Sequence, residues 1–192
     1  MKIYDSALPG DIFNRLQSAI MSPDFPWYWG GTAYMNRTEL SLFSNTFAHN
    51  AYHNGQHLSH VGALVEEAAV SLTNHVGHNM KELNRVRIAL TTAVPESLQH
   101  PPHIDMTMPH ITGLLYLNDS DGDTFFYNEK YDLSKGNDTY QQYLDVKDNL
   151  TLMNRVTPKA NRFVHFDGLH WHNSSAPTAV GRRIIVNFNY SI

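Results

Sequence analysis

The sequence predicts an α+β chain, mainly β, in which a sandwich or barrel of short strands is braced by N-terminal helices. Three observations carry this expectation. Apolar residues recur at helical spacing only ahead of Leu83; beyond it they alternate in short runs; and clusters rich in Gly, Pro, Asp and Asn punctuate those runs. A chain of 192 residues, 42% of them hydrophobic, is long enough for one sizeable core. One domain is expected, with residues 1–82 as mostly helical support and 83–192 as the β core.

Residues 11–21 read as the first helix, with Asp11 as its cap and Ile12, Leu16 and Ile20 on one face. Residues 24–52 are irregular and aromatic, with a turn at Gly30-Gly31 and with Trp27, Tyr28 and Trp29 read either as cover for one end of the barrel or as a substrate platform. A second helix is expected over 56–76, where Leu58, Val61, Val65, Ala68, Leu72 and Val76 align. From Leu83 to Val94 the pattern alternates, placing Val86, Ile88 and Leu90 on one face and Arg85, Arg87 and Ala89 on the other. Ile111–Leu117 and Asp123–Tyr127 read as strands joined in a hairpin over Asp119-Ser120-Asp121-Gly122. Residues 128–155 are polar and aperiodic, an excursion of the kind that covers a site. Arg162–Asp167 and Arg183–Tyr190 complete the strands.

Composition narrows the chemistry. With no cysteine there is no disulfide framework, thiolate zinc site, iron–sulfur cluster or cysteine nucleophile. A formal net charge of -4 argues against a basic nucleic-acid footprint. The first residues contain no apolar leader core and no run is long enough to span a bilayer, so the expected location is the cytoplasm, away from membranes. The 12 histidines direct attention to metal sites built from imidazole and carboxylate.

His103 and Asp105 stand two apart, so on an extended segment both project from one face and can share a metal. A chain this rich in both residues contains roughly one His-x-Asp by chance, and His165-Phe166-Asp167 is a second match. Their downstream residues separate the two. After Asp105 come several strands, then His172, then Arg183 at the opening of the last strand. Two histidines and a carboxylate occupy one face of an octahedral ferrous ion and leave open positions for a chelating 2-oxo acid and dioxygen. An arginine across the barrel can then fork onto the far carboxylate of 2-oxoglutarate. The His165/Asp167 pair has only His170 and His172 after it, too near in sequence to return from another strand.

Further segments extend the pattern. Pro102-His103-Ile104-Asp105, Thr112-Gly113-Leu114-Leu115-Tyr116-Leu117-Asn118, Asp121-Gly122-Asp123-Thr124, Pro158-Lys159-Ala160-Asn161-Arg162, Phe166-Asp167-Gly168, His172 and Gly181-Arg182-Arg183-Ile184 occur in that order. On these the chain resembles the 2-oxoglutarate- and Fe(II)-dependent dioxygenases, in particular the prolyl-4-hydroxylase-like branch with its small viral and phage forms. The resemblance implies a double-stranded β-helix, or jelly-roll, core. It places His103, Asp105 and His172 on Fe(II) and Arg183 on 2-oxoglutarate. It also implies hydroxylation of a C–H bond, with dioxygen and a peptide or small molecule as partners, peptidyl proline foremost, and ascorbate as an accessory reductant. His172 is preferred to His170, and Arg183 to Arg182, because the spacing of eleven and the Gly-x-Arg opening match the family.

Alternatives stay open at several residues. Tyr116 is a candidate for a hydrogen bond to 2-oxoglutarate, with core packing as the other reading. Asn187 either faces the metal cavity or satisfies backbone groups, and Arg85 and Arg87 either meet an acidic ligand or lie on a solvated sheet face. His49, His53, His57 and His60 read as a polar loop leading to the second helix. Asp105 disfavours halogenation, which needs that position vacant for halide. The second arginine of nucleic-acid demethylases has no counterpart, since Asn189 stands there. A cupin-like metal barrel without 2-oxoglutarate and a non-enzymatic binding barrel are the competing classes.

Overall fold

The computed structural model describes residues 1–29 and 45–192, so the Gly30-Gly31 turn lies outside the described residues. Two antiparallel sheets face each other. The larger is built from β1 (Lys2–Tyr4), β2 (Tyr28–Trp29), β3 (Thr46–His53), β4 (Gln56–His57), β5 (Glu82–Thr92), β6 (Ile111–Tyr116), β9 (Phe163–Asp167) and β11 (Arg182–Ser191). Its order is β1-β9-β6-β11-β5-β3-β2, with β4 paired to β3. The smaller sheet, β10-β7-β8, comprises β7 (Thr124–Lys130), β8 (Leu152–Val156) and β10 (His170–Ser174). This is a jelly-roll-like arrangement, braced on one side by α1 (Gly10–Ile20) and α2 (Gly62–His75).

Strand parity divides the large sheet into two chemically different faces. In β11, Ile184, Val186, Phe188 and Tyr190 join the core under the helices, together with Leu16 and Ile20 of α1 and Val65, Ala68 and Leu72 of α2. The alternate residues Arg183, Ile185, Asn187 and Asn189 turn toward the small sheet. There Ile185 packs with Leu114, Tyr116, Val164 and Phe166 of the large sheet and Phe126 and Val156 of the small one. β5 follows the same rule: Val86 and Ile88 serve the helix side, which leaves Arg85, Arg87 and Ala89 on the inner face. The face that packs on helices is apolar, and the inner face is apolar at one end and polar at the other.

Several expectations are corrected. The second helix begins at Gly62, not 56, because Asn54 (φ 44°) and Gly55 (φ 79°) take left-handed conformations and fold β4 back on β3 as a hairpin. Leu58, expected on the helix face, is exposed. Residues 46–53, read as irregular or polar loop, form a long strand paired with β5, so the segment expected as helical support also supplies β1 to β4. Asp11 lies in the first turn of α1 while Pro9 holds the cap position. β6 and β7 are not a hairpin: β6 pairs with β9 and β11, whereas β7 pairs with β10 and β8 in the other sheet. The intervening aspartates serve neighbouring loops instead. Asp121 accepts hydrogen bonds from the backbone N–H groups of Thr178, Ala179 and Val180, and Asp119 accepts one from Ala160. The 128–155 excursion holds β8 and α3 (Thr139–Val146), whose Tyr143 packs with Tyr131 on the buried Trp171. No helix among the described residues is long and apolar enough to cross a membrane.

Leu72 is 1% exposed between α2 and the sheet, whereas Val70 on the same helix is 45% exposed. Leu72→Ala is expected to lower unfolding free energy by about 2–5 kcal/mol and Val70→Ala by about 0.5 kcal/mol or less. Urea unfolding of both variants checks this; equal effects would contradict the helix–sheet interface.

Candidate metal centre

His103 and His172 are brought together by backbone pairing. The His103 N–H donates to the His172 carbonyl at 2.9 Å and the His172 N–H returns the bond at 3.0 Å, an antiparallel bridge outside the main ladders. Facing residues in such a bridge project to the same side, and the two ring centroids stand 4.6 Å apart. Asp105, two residues beyond His103, places Oδ2 3.7 Å from His172 Nε2. One ligand atom from each of the three lies within 4.8 Å of the others, the only such group among the described residues.

The protonation of the trio is set by its neighbours. His103 Nδ1 faces the Pro101 carbonyl at 3.3 Å and His172 Nδ1 faces the His170 carbonyl at 3.1 Å. A carbonyl only accepts, so both Nδ1 atoms carry the hydrogen and both Nε2 atoms are unprotonated. Burial pushes His103 down to about 3 and lowers His172 as well, so both rings are neutral. Burial alone would raise Asp105. Arg85, His172, His103 and the Asn187 hydrogen bond outweigh it and hold the carboxyl well below its ordinary range. Two neutral imidazoles and one carboxylate, converging without protons to displace, fit a divalent first-row metal.

Five contacts surround the Asp105 carboxylate, whose side chain is 1% exposed. Arg85 Nη2 donates to Oδ1 at 3.0 Å. Thr112 Oγ1 donates to Oδ2 at 3.2 Å and Asn189 Nδ2 to Oδ2 at 3.1 Å. Asn187 Nδ2 straddles both oxygens at 3.2 and 3.0 Å. Asn189 also accepts from Arg85 Nε at 2.9 Å. Asn187 thus faces the cavity, and Arg85 lies inside the barrel and not on a solvated face. Arg85, Thr112 and Asn189 stand outside the ligand set that the sequence predicts. Their signal is strand parity, for Asn189 lies an even number of residues from Arg183 and pairs with Arg85 and Thr112 in register.

A cavity runs from His103 and His172 past Asn187 and Ile185 to Arg183 and Thr124, with Arg87 and His100 in the adjoining space. Arg183 is 3% exposed. Its Nη2 donates to Thr124 Oγ1 at 2.8 Å, that hydroxyl is 2.7 Å from Tyr116 Oη, and Arg183 Nε is buried without an acceptor. No carboxylate of the described residues forms an ion pair with Arg183. A buried guanidinium in this state is an incomplete site for an anion. Tyr116 is both core and cavity neighbour: its ring is fully buried, and Arg183 Cζ lies 5.6 Å from the ring centroid.

The rivals separate cleanly. His170 is outside the converging group, and its Nδ1 bonds the Tyr127 carbonyl at 2.9 Å. Arg182 is exposed. His165 stacks on Tyr4 while Asp167 pairs with Lys130 at 2.7 Å. His49 Nδ1 meets the Pro26 carbonyl and His57 pairs with Glu66 on the surface.

No family model matches the chain, and no curated protein matches it by sequence. Solved structures do match by shape. A prolyl-4-hydroxylase from Pseudomonas putida is 12% identical, with a TM-score of 0.57 over 100% of this chain and 92% of that one. A prolyl hydroxylase from Trichoplax adhaerens, solved with a hypoxia-inducible-factor peptide, is 12% identical with a TM-score of 0.58 over 98% and 82%. The α-ketoglutarate-dependent epimerase SnoN of nogalamycin biosynthesis is 12% identical with a TM-score of 0.65 over 98% and 76%. At these identities the likeness establishes the fold they share.

Burial depresses His100 and His165 to about 4, beside His103 at about 3. In the unfolded chain each titrates near 6.5, so between those values the unfolded state binds more protons. Stability is therefore fully present above about pH 6.5 and falls as pH drops toward about 4. Urea midpoints of the metal-free protein across that window are expected to decline on acidification, with a shallower decline for His165→Gln. A flat profile would contradict the buried neutral histidines.

Proposed function

We propose that this chain is a 2-oxoglutarate- and iron(II)-dependent oxygenase that hydroxylates a substrate C–H bond, of the prolyl-4-hydroxylase-like branch. The observation that carries the reading is the pairing of two features in one cavity. A two-histidine-one-carboxylate set converges at one end, and a buried arginine with unfilled donors waits at the other. His103, Asp105 and His172 would hold the iron, and Arg183 would fork onto the far carboxylate of 2-oxoglutarate. The fold shared with solved prolyl hydroxylases and with an α-ketoglutarate-dependent epimerase supports this.

Bound iron supplies the activation of dioxygen that couples decarboxylation of 2-oxoglutarate, to succinate and carbon dioxide, with insertion of an oxygen atom into the substrate C–H bond. The chain's own part is to bind and orient. Nδ1–H bonds to backbone carbonyls keep both imidazoles in the tautomer with Nε2 unprotonated, so metal entry displaces no proton. Arg183 donates to the co-substrate carboxylate, and Thr124, held between Arg183 and Tyr116, fixes the guanidinium plane. The apolar inner cluster around Ile185, Leu114 and Phe166 keeps bulk water from the channel between the two ends. Peptidyl proline is the finer substrate reading, and a small molecule is its alternative within the same mechanism.

Anaerobic titration with Fe(II) and 2-oxoglutarate is expected to raise a weak visible charge-transfer band that saturates at equimolar iron. His103→Ala should abolish the band. Arg183→Met should retain iron while weakening 2-oxoglutarate about tenfold or more, the scale of a lost charged hydrogen bond. No band from folded wild type would end the proposal, and an unaltered Arg183→Met would favour a metal barrel that does not use 2-oxoglutarate. Turnover assays, with ascorbate as accessory reductant, then sort peptide from small-molecule substrates.

Gly122 offers an independent check on the arginine. A Cβ there would sit 2.7 Å from the Ser175 carbonyl oxygen and 3.1 Å from Arg183 Cδ. Gly122→Ala is expected to weaken 2-oxoglutarate binding and leave metal affinity unchanged, read by calorimetry with each ligand in turn. Equal loss of both would point to general disruption of the fold.

A further inference from the structure

The residues on either side of Asp123 touch Arg183. Arg183 Nη2 donates to the Thr124 hydroxyl at 2.8 Å, and a Cβ on Gly122 would stand 3.1 Å from Arg183 Cδ. Asp123 itself is 1% exposed. Its backbone is clamped by Ser175, whose Oγ accepts the Asp123 N–H at 3.0 Å and whose own N–H donates to the Asp123 carbonyl at 2.9 Å. Strand alternation turns its side chain away from Thr124. There Oδ2 accepts from Arg155 Nε, while Oδ1 is buried without a hydrogen bond. Arg155 comes from the outer surface, its side chain 63% exposed, and pairs opposite Phe125 with its guanidinium 5.5 Å from that ring. Burial pushes Arg183 below its ordinary value, and the Tyr116 side chain and the Asp123 charge act against that. Asp123 therefore carries its charge within electrostatic reach of the arginine that the proposed co-substrate would use.

We infer that Arg155 screens the anion site at Arg183 from the buried Asp123 carboxylate, and so sets, from the protein surface, the affinity for the distal carboxylate of 2-oxoglutarate. This rests on the proposal that Arg183 receives that carboxylate. Because it acts through Asp123, Arg155 is a positioning residue. Four charges alternate along this line: Arg155, Asp123, Arg183 and the incoming carboxylate. With Arg155 in place, each anion has a cation of its own. Without it, two anions share one buried guanidinium, and like charges several ångströms apart repel far more inside a protein than in water. An ion pair that served only to fasten β8 to β7 would be indifferent to the sign of whatever replaced Arg155. A screening pair is not.

The test measures 2-oxoglutarate affinity from the visible band of the anaerobic Fe(II)-loaded protein, without turnover. Wild type, Arg155→Lys, Arg155→Met and Arg155→Glu are compared, with iron content and thermal melts recorded for each. Affinity should fall in that order at unchanged iron content. Arg155→Met should lose about fivefold and Arg155→Glu about twentyfold, the scale of charges several ångströms apart at a protein's effective dielectric. Arg155→Met combined with Asp123→Asn should return to within about twofold of wild type, because the anion that needed screening is gone and the two effects are not additive. A merely structural Arg155 would lower the melt, treat methionine and glutamate alike and gain nothing from Asp123→Asn. Equal affinity in all folded variants, or a folded double variant no better than Arg155→Met, overturns the inference. The graded series from lysine to glutamate decides alone if the double variant fails to fold. Absence of any 2-oxoglutarate band in wild type would instead sink the co-substrate reading on which the inference rests.

Discussion

The burial of one ionised carboxylate constrains the rest of the structure. An unpaired charge in the interior costs several kcal/mol at least, so Asp105 is tolerated only because donors reach it from three adjacent strands. Thr112 of β6, Asn189 of β11 and Arg85 of β5 stand opposite one another in register, forming a polar row across the sheet beneath the carboxylate. A slip of one residue in any of these strands would turn its member of the row to the helix side, leaving the carboxylate under-bonded and burying a polar group among Val86, Val186 and Phe188. The same register that satisfies Asp105 therefore specifies the sheet.

The candidate metal-ligand set lies on the seam between the sheets. Asp105 rests on the large sheet's polar row, while His172 belongs to the small sheet and His103 to the segment that bridges to it. The His172 ring is held edge-on by Phe166 at 4.9 Å, a residue of β9 in the large sheet. Packing between the sheets thus sets the distance between ligands drawn from different strands. The helices contribute only from outside, by covering the apolar face with Leu16, Val65 and Leu72, which leaves the inner face to chemistry.

Local periodicity and the chemistry of a few residue types were legible in the sequence. Alternation in 83–94 and 183–190 identified the two central strands, and His-x-Asp with His172 and Arg183 far downstream marked residues that the fold brings to one cavity. Features that depend on distant pairing were not legible. Asp119-Ser120-Asp121-Gly122 has the composition of a hairpin turn, yet its strands find partners in different sheets, because a jelly roll pairs strands by order in space and not in sequence. Asn54-Gly55 was a readable hairpin signal, masked by apolar residues that happened to continue the α2 spacing upstream. Arg85 was ambiguous for a simpler reason: parity says which residues share a face, but not whether that face meets water or another sheet.

The two inward arginines show how one sheet face treats like charges differently. Arg85 reaches a carboxylate and is neutralised by it, so it belongs to the framework. Arg183 is more deeply buried and meets the Thr124 hydroxyl and the Tyr116 side chain. Asp123 is the nearby carboxylate whose charge Arg183 feels, and it is engaged from the other direction by Arg155 of β8, whose guanidinium also lies over the Phe125 ring. One oxygen of Asp123 is thereby held by a surface residue, while the other is buried without a hydrogen bond. A buried cation without an ion-pair partner among the described residues is costly to the fold, and an anion entering from the cavity would offset that cost. That asymmetry, an arginine completed by the chain on one strand and an arginine without an ion-pair partner on the next, is what the proposed site for a metal and a dicarboxylate requires.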